Sequence, residues 1–197
     1  MIRRLALLRH GRTAWNRQGR IQGSTDEPLD AEGRTEVSQF SLPGPWDAAR
    51  LWSSPLGRAR ETARIVAGRE PEITPDLREM DWGRWEGQRG VDLAADPQSG
   101  FRHIEDWGWT YRPPGGESPA DLRDRLLPWV DTLTGDNLAV CHIGVMRVLL
   151  ALATAWNFDG PAPFRVKRNR LFVLMDDGNG LKLQSDEPVR LVRREGA

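Results

Sequence analysis

The sequence predicts an α/β fold, a three-layer sandwich with a mostly parallel central sheet flanked by helices. Two patterns carry this prediction: short apolar segments typical of buried strands, and helical patterns that alternate with them along the chain. The length of 197 residues suits one sizeable core, so we expect a single domain over residues 1–197.

Three segments indicate strands of the central sheet. They are "LALL" at 5–8, "RLWSS" at 50–54 and "LAVC" at 138–141. Each is short, apolar and bounded by polar residues or glycine, as are strands that helices cover on both faces. We expect them to lie side by side.

Three helices follow these strands. Ser54 is expected to cap a helix that begins at Pro55, and Ser118 with Asp121 forms a capping box for a second helix. A third runs from about 145 to 156 and is almost entirely apolar, which predicts deep burial. The apolar faces of the first two helices are Leu56, Ala59, Ala63 and Val66, and Leu122, Leu126, Trp129, Val130 and Leu133.

Two further segments differ in character. "LFVLMDDGNGLKLQ" predicts a hairpin that turns at Asp177-Gly178 or Asn179-Gly180. Residues 76–117 are rich in Gly, Pro, Trp and charge, and they resemble a lid-like insertion more than a core element. Five of the nine tryptophans stand at 15, 82, 85, 107 and 109, where they form an aromatic wall for a substrate or pack the lid onto the core.

Composition excludes several classes of protein and of site. Lys plus Arg and Asp plus Glu are both 28, so the net charge is zero and no dedicated nucleic-acid binding is expected. Cys141 is the only cysteine, which excludes an internal disulfide and a thiolate metal cluster. The apolar stretch at 5–8 is too short for a signal peptide and no segment reaches membrane-spanning length, so we expect a cytoplasmic protein. The oligomeric state stays open, a homodimer included.

Charged and polar residues follow the predicted strands where ligands bind in open α/β sheets, at the carboxyl ends. Arg9 and His10 follow the first strand, Arg58 lies one helical turn beyond the second, and His142 follows the third. The chain has only three histidines, and two of them end apolar strands next to or near a glycine. His103 lacks such a placement, and we expect it to be structural.

Two arginines, two histidines and a helix N-terminus suit a dianionic phosphate group. A histidine beside them can attack phosphorus and form a covalent phosphohistidine. The leaving oxygen then needs a proton donor with a raised pKa, for which Glu79, Asp81 and Glu86 compete. An alternative is a metal site formed by His10, His142 and a carboxylate. The neighbouring arginines oppose it, because they repel a metal cation electrostatically.

The chain resembles the histidine phosphatase superfamily, whose fold is phosphoglycerate mutase-like. The resemblance rests on "LLRHGRTAWNRQGRIQGSTDEPLDAEG", "SSPLGRARETA", "EMDWGRWEG" and "VCHIGVMR", which occur in the family's order. It implies that His10 is the phosphorylated nucleophile and that Arg9, Arg58 and His142 hold the phosphoryl group. It further implies Glu79 as the general acid, Asn16 as a phosphate donor, and Gln22, Gly23 and Ser24 on the substrate side. Family members need no metal or organic cofactor.

Within the superfamily, "EMDWGRWEG" is similar to the phosphatase branch, because mutases carry an Arg-His-Tyr-Gly run after the acid. The WEG run and "YRPPGGES" at 111–118 resemble α-ribazole phosphatases. Two positions depart from the family pattern: Arg12 replaces the usual Glu after RHG, and Ile143 replaces a small residue after the second histidine. Arg12 either favours a more anionic substrate or faces solvent, and Ile143 narrows the space beside His142.

The sequence therefore predicts a metal-independent phosphomonoester hydrolase for a small phosphorylated metabolite, with α-ribazole phosphate as the favoured example. A mutase-type phosphoryl transferase that uses the same histidine is the first alternative. A non-catalytic protein that binds phosphorylated ligands is the second.

Overall fold

The structure is a computed structural model that describes residues 3–195. Its strands are β1 (Arg3–Arg9), β2 (Phe40–Ser41), β3 (Arg50–Ser53), β4 (Glu72–Ile73), β5 (Asp136–Cys141), β6 (Arg170–Asp176), β7 (Leu181–Leu183), β8 (Val189–Arg190) and β9 (Val192–Arg193). The main sheet has the order β4-β3-β5-β1-β6-β7, with β8 also paired to β6. The pairs β3–β4, β3–β5 and β1–β5 are parallel, whereas β6 pairs antiparallel with β1, β7 and β8. Strands β2 and β9 form a small separate sheet.

The helices are α1 (Ala14–Gln18), α2 (Ala31–Ser38), α3 (Gly57–Ala67), α4 (Gly90–Ala95), α5 (Pro119–Thr132) and α6 (Ile143–Thr154). Short 3-10 turns lie at Pro75–Leu77, Gly83–Trp85 and Ile104–Asp106. Within residues 3–195, every helix is too short or too polar to cross a lipid bilayer.

The predicted three layers are confirmed by the way β1 divides its side chains. Leu5 and Leu7 belong to a first core together with α5 and α6, whereas Ala6 and Leu8 belong to a second core with α2 and α3. Because successive strand residues face opposite sides, a strand that is apolar at every position requires helices on both faces.

The predicted strands at 5–8, 50–54 and 138–141 lie within or overlap β1, β3 and β5. The Ser118 capping box is also confirmed: Ser118 Oγ accepts a hydrogen bond from the Asp121 amide at 3.2 Å, and the Ser118 amide donates to Asp121 Oδ2 at 2.7 Å. The hairpin turns over residues 177–180, where Gly178 and Gly180 have φ of 102° and 94°. Both glycines are needed there because other residues rarely adopt such a conformation.

Two helix starts were predicted wrongly. Helix α3 has Leu56 as its N-cap without a side-chain cap, because Ser54 Oγ instead accepts the Leu56 amide in the preceding turn and contacts the histidine that follows β5. Helix α6 begins at Ile143 rather than near 145 and ends at Thr154, where Ala155 takes a left-handed conformation.

The segment 76–117 is not peripheral to the core. It supplies large apolar side chains to the first core, and each of them is at most 9 % exposed: Leu77, Met80, Trp82, Trp85, Leu93, Ile104 and Trp107. The tryptophans pack on one another and on Phe101 and Tyr111, with ring centroids 5.2 to 6.4 Å apart. Packing is therefore the main role of the buried tryptophans of this segment.

Candidate active site

The two histidines that follow strands meet because β1 and β5 are neighbouring parallel strands. Their register pairs Arg9 with Cys141, so the next residues, His10 and His142, leave the sheet together. The His10 amide donates to the Cys141 carbonyl at 3.0 Å, and the two imidazole centroids lie 5.1 Å apart. Both histidines are almost completely buried.

The His10 ring is held in one tautomer. Its Nδ1 lies 2.6 Å from the Gly11 carbonyl oxygen, which only accepts, so Nδ1 carries the hydrogen. The lone pair of the neutral ring is then on Nε2. Burial, followed by the charges of Arg9 and Arg58, keeps the pKa of His10 well below its usual value. His10 is therefore a neutral imidazole with a free nucleophilic nitrogen.

His142 has both ring nitrogens engaged. Arg58 Nε donates to Nδ1 at 3.3 Å, so Nε2 carries the hydrogen and donates to Ser54 Oγ at 2.7 Å. Burial and then the charge of Arg58 keep the pKa of His142 well below its usual value. These contacts place Arg58, His142 and Ser54 as one hydrogen-bonded group beside His10.

Three guanidinium groups lie near His10, and the hydrogen-bond partners that they have among the described residues are uncharged. Arg58 donates to the carbonyls of Thr25 and Gly23, both at 2.7 Å, and Arg168 donates to the His10 carbonyl at 3.2 Å. Arg9 Nε is buried and has no hydrogen-bond partner among residues 3–195. Within residues 3–195, no carboxylate lies at ion-pair distance from any of the three.

This excess of positive charge is costly without an anion. Burial, followed by the charge of Arg168, lowers the pKa of Arg9 to about 9, and burial followed by Arg12 lowers the pKa of Arg168 to about 10. A buried cation without a counterion is unfavourable, whereas a dianion in its place gains several charge-assisted hydrogen bonds. The electrostatics therefore favour an anionic ligand at His10.

Glu79 is the buried carboxyl group of the site. It is 1 % exposed, and its two oxygens accept the amides of Met80 at 2.8 Å and Gly144 at 3.1 Å. Burial raises the pKa of Glu79 despite these hydrogen bonds and the nearby arginines. Gly144 permits this close approach, because a methyl group at that position would overlap Glu79 Oε1.

Glu86, which competed with Glu79 on composition, has a different role. Its carboxylate accepts the amides of Ser24 at 2.7 Å, Thr25 at 2.9 Å and Trp82 at 3.2 Å. Burial alone would raise the pKa of Glu86, but the hydrogen bond from the Thr25 hydroxyl and those from the three amides lower it overall. Glu86 therefore stays ionised and shapes the loop whose carbonyls hold Arg58.

A cavity of about 160 Å³ opens beside Arg9. Its lining contains both polar and apolar side chains: Arg9, Asn16, Arg20, Ile21, Gln22, Trp82 and Ile143. Gly23 and Ser24 adjoin it but contact Arg58 and Glu86, so their part in substrate binding stays a prediction. Arg12 is exposed and lies 3.6 Å from Glu36, which agrees with the solvent-facing alternative.

The structure adds residues that the motifs did not single out. Arg168 and Ser54 contact the two histidines, and Trp82 joins Ile143 in the cavity lining. Ser54 stands in a quoted motif, but Arg168 lies 152 residues from Asn16, with no local pattern to connect them. No group of three His, Cys, Asp or Glu side chains suited to a metal occurs in residues 3–195.

Similarity to known proteins agrees with this arrangement. "Probable phosphoglycerate mutase GpmB" of Salmonella paratyphi C is 37% identical over 125 residues, which cover 61% of this chain and 58% of that protein. The chain thus matches little more than half the length of that relative.

Two solved structures from Thermus thermophilus are similar over almost the whole chain. TTHB049 has a TM-score of 0.70 and 31% identity, covering 97% of this chain and 98% of that one. A phosphoglycerate mutase has a TM-score of 0.67 and 30% identity, covering 98% of this chain and 100% of that one.

The structure titled "Mycobacterial hydrolase 1" has a TM-score of 0.77 and 27% identity, covering 94% of this chain and 98% of that one. The family model described as histidine phosphatase superfamily, branch 1, matches residues 5–185, a range that contains every side chain of the site. The chain therefore belongs to branch 1 of the histidine phosphatase superfamily.

Proposed function

We propose that this protein hydrolyses small phosphomonoesters without a metal, through a phosphohistidine on His10. The observation that carries the proposal is the convergence of Arg9, Arg58 and Arg168, none of them ion-paired in residues 3–195, on a neutral imidazole with a free Nε2. This combination offers both a site for the dianion and a nucleophile that reaches its phosphorus atom.

In the first step, His10 Nε2 attacks phosphorus in line and the bond to the ester oxygen breaks. Glu79 donates its proton to the leaving oxygen, so the alcohol departs neutral. The arginines and His142 stabilise the charge on the equatorial phosphoryl oxygens, the principal contribution expected in phosphoryl transfer.

In the second step, water attacks phosphorus while the Glu79 carboxylate takes its proton. The N–P bond breaks, His10 is regenerated as the neutral ring and inorganic phosphate leaves. Glu79 ends the cycle protonated, as burial favours.

The substrates to be tested are small phosphorylated metabolites, with α-ribazole phosphate first because of the WEG run and "YRPPGGES". A phosphoglycerate mutase is the second candidate, supported by the names of GpmB and of the Thermus thermophilus mutase. The Arg-His-Tyr-Gly run that mutases carry after the acid is absent from "EMDWGRWEG", which supports hydrolysis.

The test is phosphate release from α-ribazole phosphate, 3-phosphoglycerate, a sugar phosphate and an aryl phosphate, all with chelator present. We expect wild-type protein to release phosphate and His10→Ala to fall to background, because the nucleophile is gone. Isomerised phosphoglycerate without net phosphate would support the mutase instead. Turnover retained in pure His10→Ala protein would refute the phosphohistidine mechanism.

A further inference from the structure

Arg168 joins two parts of the site through the fork of its guanidinium group. Its Nε donates to the His10 carbonyl at 3.2 Å, and its Nη2 donates to Asn16 Oδ1 at 2.8 Å. Among the described residues it has no ion-paired carboxylate, so these two oxygens are the contacts that hold a half-buried charge. One side chain thus fixes the backbone of the nucleophile and the amide of Asn16.

The Arg168 contact sets which way the Asn16 amide faces. Asn16 Oδ1 also accepts the Thr13 amide at 3.3 Å, as part of the capping box that begins α1. Both partners of Oδ1 are donors only, so an amide turned by 180° would place its NH₂ group against two further donors. Asn16 Nδ2 must therefore face the other way, and it donates to Gln22 Oε1 at 3.1 Å.

The orientation of the Asn16 amide also fixes the orientation of the Gln22 side-chain amide. Its Oε1 accepts from Asn16 Nδ2 and from Thr13 Oγ1, the latter at 3.3 Å, so Gln22 Nε2 lies on the far side of that amide. Gln22 Nε2 is buried and has no protein partner. Asn16 Nδ2 keeps a second hydrogen, and both residues line the cavity beside Arg9. Asn16 therefore keeps one N–H donor for an anionic ligand, whereas Gln22 Nε2 lies buried behind it.

We propose that Arg168 is a positioning residue that sets the amide orientation of Asn16, so that Asn16 offers an N–H donor to an anion in the cavity. This inference rests on the anion site of the proposed function. A lysine at 168 keeps the charge but loses the planar fork that contacts two acceptors at once. The fork, rather than the charge alone, is the essential feature.

The test measures inorganic phosphate affinity by calorimetry for wild type, Arg168→Lys, Asn16→Ala and the double variant. We expect Arg168→Lys to weaken binding about tenfold or more, since a charge-assisted hydrogen bond and an amide orientation are lost. In the Asn16→Ala background the same change should cost less than about threefold, because the amide is already absent. Arg170→Lys is the matched control, since Arg170 Nη1 contacts only its neighbour's carbonyl, and it should bind as wild type.

Wild-type affinity in Arg168→Lys would show that charge suffices and would overturn the inference. An undiminished effect in the Asn16→Ala background, or no phosphate binding by wild type, would also overturn it.

If Arg168→Lys does not fold, Asn16→Asp replaces it as the test variant. The aspartate carboxylate still accepts from both donors that contact Oδ1 but lacks the NH₂ group, so retained affinity would contradict the proposal. Phosphate binding in the expected order without phosphate release from any ester would refute the proposed function and support this inference.

Discussion

At the residue scale, the two imidazoles of the site are distinguished by their neighbours. His10 donates from Nδ1 to a backbone carbonyl, which leaves Nε2 free, whereas His142 uses both nitrogens on Arg58 and Ser54. Their placement at strand ends does not distinguish the two residues, and it is the family motif that implies His10 as the nucleophile. The hydrogen bonds agree with that prediction, because His142 has both ring nitrogens engaged and His10 has one.

Glu79→Gln should lower the hydrolysis of an alkyl phosphate about 10²- to 10⁴-fold, because an alkoxide leaving group needs a proton donor, the role proposed for Glu79. An aryl phosphate should lose less, since its leaving group is stable as an anion. Wild-type kcat/KM for the alkyl ester should fall as pH rises through the raised pKa of Glu79, and the variant should lack this limb. Steady-state kinetics from pH 5 to 9 measure both effects.

Asp81→Asn is the matched control for Glu79→Gln. Asp81 Oδ1 accepts the Gly83 amide at 2.7 Å, an interaction that an asparagine oxygen also makes. We expect turnover of both esters within a few-fold of wild type. Equal losses in the two variants would show that a disturbed segment, rather than a missing proton donor, explains the result.

At the scale of elements, the ends of the helices show what local signals can predict. The capping box of α5 was predicted from Ser118, Pro119 and Asp121, because all its partners lie within four residues. Ser54 carries the same kind of signal but contacts His142, 88 residues away, so α3 begins without a side-chain cap. Ser54 thus combines a local contact with the Leu56 amide and a tertiary contact with His142, and only the local contact can be predicted from neighbouring residues.

Ser118→Ala should lower the free energy of unfolding by about 1 kcal/mol, because the Asp121 amide loses its acceptor. For a domain of this size such a loss corresponds to a decrease of roughly 2–4 °C in Tm. Thermal unfolding followed by circular dichroism measures the shift. Ser38→Ala, which removes an exposed hydroxyl in the last turn of α2, should change stability by less than about 0.5 kcal/mol. A Ser118→Ala protein as stable as the control would contradict the assigned cap.

At the scale of the whole molecule, the sheet topology creates the site. Strand β5 enters between β3 and β1, so three segments that are far apart in sequence end at one edge. The segment 76–117 then covers that edge and contributes Glu79, while its tryptophans anchor it in the first core. The same packing that fixes the fold shields the reacting groups from bulk water.

The burial of neutral histidines should make the stability of the fold depend on pH. The pKa values of His10 and His142 are well below normal in the folded state, whereas in the unfolded chain they return to about 6.5. Below that pH the unfolded state binds more protons, so stability is fully present above about pH 6.5 and is lost as the pH falls. The limiting slope is about 1.4 kcal/mol per pH unit for each imidazole.

Urea denaturation at pH 7.0, 6.0 and 5.5 measures this slope. Glu79 has the opposite effect on stability. Because its pKa is raised in the folded state, above about pH 4.5 the folded protein binds more protons at Glu79 than the unfolded chain does, so this group adds stability as the pH falls. Glu79→Gln should therefore steepen the loss of stability on acidification. His103→Ala removes a histidine outside the cluster and should preserve the wild-type slope. A stability that stays constant from pH 7.0 to 5.5 in Glu79→Gln would contradict the buried neutral histidines.

The sequence by itself determined the layered α/β fold, the three principal strands, the capped start of α5 and most of the candidate site residues that meet at the strand ends. These features depend on periodicity, on caps spanning a few residues and on motifs that can be read along the chain. Only the tertiary structure decided the tautomer of His10, the opposite pKa shifts of Glu79 and Glu86, the contact of Ser54 with His142 and the contact of Arg168 with Asn16. Each of these depends on burial or on a hydrogen bond between residues distant in sequence, and such quantities are defined only once the chain has folded.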